Sequence, residues 1–182
     1  LYFHNPNQEG FEAIIKHLHS KNYKFISIEE LYSRLEKNDT KGKLAYISFD
    51  DGWQGNLKLI PIIEKYNVHI TIFIAVNPIM SGNFWWEFVA KKVGYTQMQN
   101  FKNLPHDEFE SQLKKIKTEV ADLQRSAMTI DELETITKHP LISIQSHTIN
   151  HPILTKLPDD LLDFELSESQ KQLEKITGKS IF

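Results

Sequence analysis

Along this chain the hydrophobic positions switch between short compact runs, as in buried strands, and the three-to-four spacing of helices. Leu1 to Phe3 read as the end of a buried strand, and Phe11, Ile14, Ile15 and Leu18 follow at helical spacing. Phe25-Ile26 is a short apolar stretch. Ser27 and Glu30, three apart, then form a capping-box pattern for a helix through Leu31 and Leu35, which the Gly42 region ends. Leu44 to Phe49 predicts one strand that stops at Asp50-Asp51-Gly52. Leu57, Ile60 and Ile63 open the next helix, with Pro61 near its first turn.

His69 to Val76 is β-branched and aromatic, which predicts another buried strand, ended by Asn77-Pro78. The pattern changes from there to Pro140. Phe84-Trp85-Trp86 opens a stretch in which Phe109, Leu113, Ile116, Val120 and Leu123 keep a 4-3-4-3 spacing, and Thr129 with Glu132 repeats the capping box. Residues 77–140 are therefore expected to form a mostly helical insertion. Leu141 to Gln145 predicts the next strand. Leu162, Leu166, Leu173 and Ile176 mark a long amphipathic helix stopped at Gly178, and Ser180 to Phe182 are expected to begin another strand. Alternating strands and helices imply an α/β fold with a mainly parallel sheet, whose chemistry gathers at the C-terminal strand ends. Two polar motifs fall there, Asp50-Asp51-Gly52 and His147 to His151.

At 182 residues the chain is read as one domain, 1–182, without internal repeats. A 40% hydrophobic share and a charged quarter match an ordinary globular protein, and no apolar run nears the roughly 18 residues of a membrane span. Twenty-one basic against twenty-four acidic residues give a net charge of −3, which offers no strong field to nucleic acid or an anionic membrane. Without cysteine, any metal must be held by His, Asp or Glu. The chain starts at Leu1 with no signal-peptide pattern, so its natural N-terminus is expected to lie elsewhere.

Two adjacent carboxylates after a buried strand need solvent, hydrogen bonds or a cation. Asp-Gly is also an ordinary turn, and that reading suffices for the first motif alone. His147 and His151 have the i, i+4 spacing that puts two imidazoles on one face of a helical turn; as a bare pair they read equally well as capping or surface groups. Together the motifs fill the roles of a metal hydrolase, with Asp51, His147 and His151 as ligands and Asp50 as general base. His4 follows the first strand and could face the site, although a lone histidine is more often structural. Trp85 and Trp86 are expected to pack a helix onto the core rather than bind substrate. Asn38-Asp39-Thr40 matches a glycosylation pattern, weak without secretory context.

Ile47-Ser48-Phe49-Asp50-Asp51-Gly52 resembles the Thr-Phe-Asp-Asp-Gly motif of the polysaccharide deacetylase family, also called the NodB-homology domain or carbohydrate esterase family 4, with Ser48 for Thr. His147-Thr148-Ile149-Asn150-His151 resembles that family's His-Ser/Thr-x-x-His motif. Tyr23 to Leu31 is similar to the family's approach to its first motif, and Phe84-Trp85-Trp86-Glu87 resembles a subgroup seen with cell-surface polysaccharide genes, so the likeness covers nearly the whole chain. The resemblance implies a distorted, incomplete (β/α) barrel whose C-terminal part is missing. It implies removal of N-acetyl or O-acetyl groups from an acetylated polysaccharide or glycoconjugate. Asp50 would be the base, and Asp51, His147 and His151 would hold one divalent metal ion, zinc first, with cobalt, nickel, iron or manganese as alternatives. An envelope-associated or secreted setting is expected over a cytoplasmic one.

The family continues past the position of Phe182 into motifs that supply an oxyanion donor, orient the base and provide a proton-donating histidine. The chain is therefore expected to be truncated at both ends and to lack its general acid. Two alternatives stay open: a non-catalytic relative that keeps the metal shell, and a metal-dependent amidohydrolase acting on a non-polymeric substrate.

Overall fold

Short β-branched and aromatic runs, too apolar to face water on either side, are covered best in a parallel sheet flanked by helices. A computed structural model describes residues 1–182 and has that architecture. Strands β1 (Tyr2–Phe3), β4 (Ile47–Phe49), β5 (Ile70–Ile74) and β6 (Ile142–Ser146) form one sheet in the order β1-β4-β5-β6, every pair parallel. β2 (Lys24–Phe25) and β3 (Leu44–Ala45) form a separate parallel pair. The sheet does not close, as an incomplete barrel requires.

Helix α1 (Gln8–Ser20) is capped by Asn7, whose Oδ1 accepts from the Gly10 N–H at 2.7 Å, and it buries Phe11 and Ile15 completely. α2 (Ile28–Glu36) starts at Ser27 as expected, but only half of the capping box forms. Glu30 N–H donates to Ser27 Oγ, while the Glu30 carboxylate takes Lys24 and Arg34 instead. After β4 the chain passes a 3-10 turn (Gln54–Leu59) into α3 (Ile60–Tyr66), with Pro61 in its opening turn. Phe11, Phe49, Ile47, Leu59, Ile63, Ile72 and Ile74 are sealed in the main core.

The expected single strand from Leu44 to Phe49 is two strands. It breaks at Tyr46 because Leu44 and Ala45 pair with β2, whereas Ile47 to Phe49 pair with β1 and β5. β5 ends at Ile74, and Asn77-Pro78 lie inside α4 (Val76–Ser81). Proline is tolerated there because the first turn of a helix has no partner for its N–H groups.

Helices α5 (Trp85–Val93), α6 (Tyr95–Phe101) and α7 (His106–Glu119) share a smaller core of Trp85, Val89, Met98, Phe101, Phe109, Leu113 and Ile116. Side chains of α4 and of α8 (Ile130–Ile136), namely Val76, Ile79, Leu133 and Ile136, belong to the main core. Trp86 packs against both. α7 stops at Glu119, so Leu123 is not on its stripe. α8 has the full capping box, with Thr129 N–H donating to Glu132 Oε2 and Glu132 N–H donating to Thr129 Oγ1.

The last helix, α9 (Asp159–Thr177), ends at Gly178 in the left-handed conformation, as the sequence predicts. Its inward face is different from the expected leucine stripe: Glu165, Ser169 and Leu173 are buried, and Leu166 is exposed. Beyond it Ser180 to Phe182 form no strand; Phe182 N–H donates to Gln145 Oε1 at 3.0 Å, and Gln170 Nε2 donates to the Ile181 carbonyl. No helix is long and apolar enough to cross a membrane.

The turn after β4 depends on Gly52, which sits at φ +91° with the space for a Cβ already taken by Ile74 Cδ1 at 2.9 Å and Ile79 Cδ1 at 3.2 Å. Gly52→Ala is expected to lower stability by about 1–3 kcal/mol, from left-handed strain plus overpacking. Urea denaturation measures it, and an unchanged midpoint would contradict the packing described.

Candidate metal centre

The ends of β4, β5 and β6 are laced together by backbone hydrogen bonds beyond the sheet itself. Ala75 N–H donates to the Asp51 carbonyl, His147 N–H to Ile74, Val76 N–H to Thr148 and Asn77 N–H to Ile149. This lacing carries Asp51 from one side of β5 and the histidine motif from the other onto one spot. One ligand atom from each of Asp51, His147 and His151 lies within 4.8 Å of the others.

Asp51 is 1% exposed and holds a left-handed backbone, φ 76°. Its two oxygens have different surroundings. Oδ2 accepts from the Trp53 indole N–H at 2.9 Å, while Oδ1 lies 3.2 Å from His151 Nε2 and 3.6 Å from His147 Nε2 and accepts no hydrogen bond. A buried carboxylate oxygen without a donor is costly, because it has lost water and no hydrogen bond replaces it. Tetrahedral bonds of 2.0–2.1 Å put ligand atoms about 3.3 Å apart, which matches these two separations. The residues fit a divalent cation on both counts.

Burial raises the proton affinity of Asp51, but the close approach and charge of His151, with the Trp53 indole, outweigh it and hold the carboxyl below its ordinary 3.8. For His147, burial and the charge of His151 outweigh the carboxylates of Asp51 and Asp50 and hold it below its ordinary 6.5. Neutral imidazole is the form that ligates. Asp50, half-buried, acts on His147 only through its charge.

The expected helical turn between the histidines is absent. Thr148 and His151 are both left-handed, with φ 71° and 55°, and the remaining left-handed non-glycine residues of the chain are all Asn or Asp. A β-branched residue in that region is strained and needs outside support. The support comes from α9. Buried Glu165 accepts from the N–H groups of Ile149 and Asn150 at 2.8 and 2.9 Å, and from the Asn150 side chain. Ser169 hydroxyl meets Ser146 hydroxyl at 2.5 Å, and Thr148 Oγ1 accepts from His151 N–H at 3.0 Å. Glu165 and Ser169 carry no motif signal; a buried acid and serine one helical turn apart on a supposedly apolar face is the trace they leave in sequence.

A cleft of about 350 Å³ opens beside the centre, lined by His4, Asp51, Trp53, Trp85, Trp86, Tyr95, Met98, Gln99, Lys102, His151 and Ile153. His4 stands at the end of β1, its carbonyl held by the buried Asn56 side chain at 2.8 Å, so the lone histidine faces the site after all. Trp85 and Trp86 both pack and line the cleft. Trp85 Nε1 donates to the His151 carbonyl at 3.0 Å, and Trp86 meets the His151 ring edge-on at 4.9 Å between centroids.

The family model for polysaccharide deacetylases matches residues 37–181, most of the chain and both motifs. The chain belongs to the polysaccharide deacetylase family. YxkH of Bacillus subtilis (strain 168), which carries the polysaccharide deacetylase name, is 24% identical over 173 residues, 94% of this chain and 46% of that relative. The chain thus spans about half the length of the curated relative it matches. Among solved structures, the Streptococcus pyogenes deacetylase PplD, in complex with acetate, superposes with a TM-score of 0.67 at 18% identity, over 100% of this chain and 69% of that one. BC0361, a polysaccharide deacetylase from Bacillus cereus, gives 0.63 at 20% identity over 100% of this chain and 47% of its own. At these identities the likeness establishes the fold.

Two outcomes follow for this centre. Glu165→Ala leaves buried N–H groups unpaired and is expected to cost about 2–4 kcal/mol; an unchanged urea midpoint would contradict its support of the loop. Metal-free protein is expected to lose stability on acidification in two steps. His147 is favoured neutral, so the unfolded chain takes up its proton first as pH falls below 6.5. Asp51 is favoured charged, so its contribution holds above 3.8 and is lost as pH falls through its depressed value. Denaturation midpoints in chelator from pH 8 to 3 measure both, and the upper step should shrink in His147→Asn.

Proposed function

We propose that the chain forms the metal-binding part of a hydrolase that removes N-acetyl or O-acetyl groups from a polysaccharide. The observation that carries the reading is the buried, unpartnered Oδ1 of Asp51 facing the Nε2 atoms of His147 and His151 at the mouth of an aromatic cleft. Membership of the family supports it. Asp51, His147 and His151 would hold one divalent cation, zinc first, with cobalt, nickel, iron or manganese as alternatives. When bound, the cation supplies a Lewis acid that acidifies water and draws charge from the acyl oxygen.

The rest falls to side chains of this chain. Asp50 is next to a ligand without being one, and it takes the proton of the attacking water. The faces of Trp53, Trp86 and Tyr95 offer apolar walls to the C–H faces of sugar rings, and Gln99 and Lys102 offer donors to hydroxyl or carbonyl oxygens. A cleft of about 350 Å³ suits one or two sugar rings and leaves the remainder of a polymer outside.

The test is metal content and acetate release by the intact protein on acetylated oligosaccharides. Asp50→Asn is expected to keep its metal and lose activity by a factor of at least about 100. Asp51→Asn and His151→Ala are expected to lose the metal itself. Equal metal loss in all three would overturn the separation of base from ligands, and a metal-free, inactive native protein would overturn the function.

A further inference from the structure

We infer that Trp53 is a positioning residue for the cation site: its indole N–H occupies Oδ2 of Asp51, so the carboxylate presents Oδ1 alone. The inference rests on the metal reading above.

A carboxylate can bind a cation through one oxygen or both. Here the two are already distinguished, since Oδ2 receives the indole hydrogen bond at 2.9 Å and Oδ1 has no donor. Holding one oxygen back confines Asp51 to a single coordination position. On a bound cation this would leave room for water and the acyl oxygen, as hydrolysis at a cation demands.

The indole cannot easily turn away. The left-handed Gly52 folds the chain so that Trp53 returns over Asp51, two residues back. The backbone on each side is tied to the strand-like segment before α8, by Met128 N–H to the Gly52 carbonyl and Gln54 N–H to the Ser126 carbonyl. Trp53 itself bridges to Ala127. Its ring lies 4.4 Å from the Phe84 ring and 6.2 Å from Trp86, centroid to centroid. A donor fixed this firmly sets the orientation of the ligand it touches, and loss of such an outer partner typically weakens metal binding by about 10–100-fold. Packing alone would need an aromatic ring at this position; the bond to Oδ2 needs the N–H.

The two roles separate by chemistry. Trp53→Phe removes the N–H and part of the ring, whereas benzothienylalanine at position 53 keeps the ring's shape and replaces only the N–H by sulfur. Zinc affinity is measured by competition with a chromophoric chelator, and the ligand field by visible absorption of the cobalt-loaded protein. Both replacements are expected to raise the zinc Kd by about 10–100-fold. The cobalt band should weaken as Oδ2 joins the ion and the coordination number rises. Native affinity and a native cobalt spectrum in the benzothienylalanine protein would overturn the inference, whatever the phenylalanine variant does. Native protein that binds no divalent cation would overturn the proposed function along with it; metal binding indifferent to the sulfur replacement overturns this inference alone.

Discussion

Asp51 places a carboxylate where water does not reach and leaves one of its oxygens without a donor. An isolated charge in that position would protonate or force the local structure apart. It is tolerated because two imidazoles and an indole converge on it from two different parts of the fold. His147 and His151 come from the loop after β6, on the far side of β5. The Trp53 indole comes from the turn that Gly52 allows. The parallel order β1-β4-β5-β6 serves to bring these groups to the same end of the sheet.

That convergence has a conformational cost borne outside the site. Asp51, Thr148 and His151 all have positive φ, and strain of this sort persists only where neighbours over-determine it. Glu165 does so by collecting two backbone N–H groups and a side-chain amide from the histidine loop, and Ser169 does so through Ser146. Helix α9 thus gives polar side chains at two of its three most buried positions to the loop it covers. Substituting leucine for Glu165 would add apolar area while leaving the loop's N–H groups unpaired, a poor exchange where each such group costs about 1–3 kcal/mol.

This explains which features could be read in the sequence. Local signals carry the alternation of strands and helices, the complete capping box at Thr129 and Glu132, and the Gly178 stop, because each depends on residues within a turn of one another. The convergence of Asp51, His147 and His151 could be anticipated because each motif lies at the end of a buried strand. The break at Tyr46 was hidden, since it reflects which neighbour each half pairs with and not any change in residue type. The i, i+4 spacing of the histidines suits a helical turn but does not require one. The non-helical path is imposed by Glu165, remote in sequence, and by the hydrogen bonds that tie Thr148 and Ile149 to α4. The inward side of α9 is hidden for the same reason: a buried acid is unintelligible until its partners are known.

The aromatic residues of the helical stretch bind the two cores to the chemistry. Trp85 belongs to the smaller core yet donates to the backbone of His151, and Trp86 touches both cores and the His151 ring. Helices α5 to α7 therefore cannot shift as a unit without disturbing a ligand, and α6 forms the cleft wall with Tyr95, Met98, Gln99 and Lys102. Under the proposed function, such a segment would diversify the substrate wall while remaining anchored at Trp85 and Trp86 to the His151 loop. On that same proposal, specificity would lie on the exposed face of α6, where side chains can change without entering either core, as opposed to Trp85 and Trp86, where a change of contact would also disturb His151.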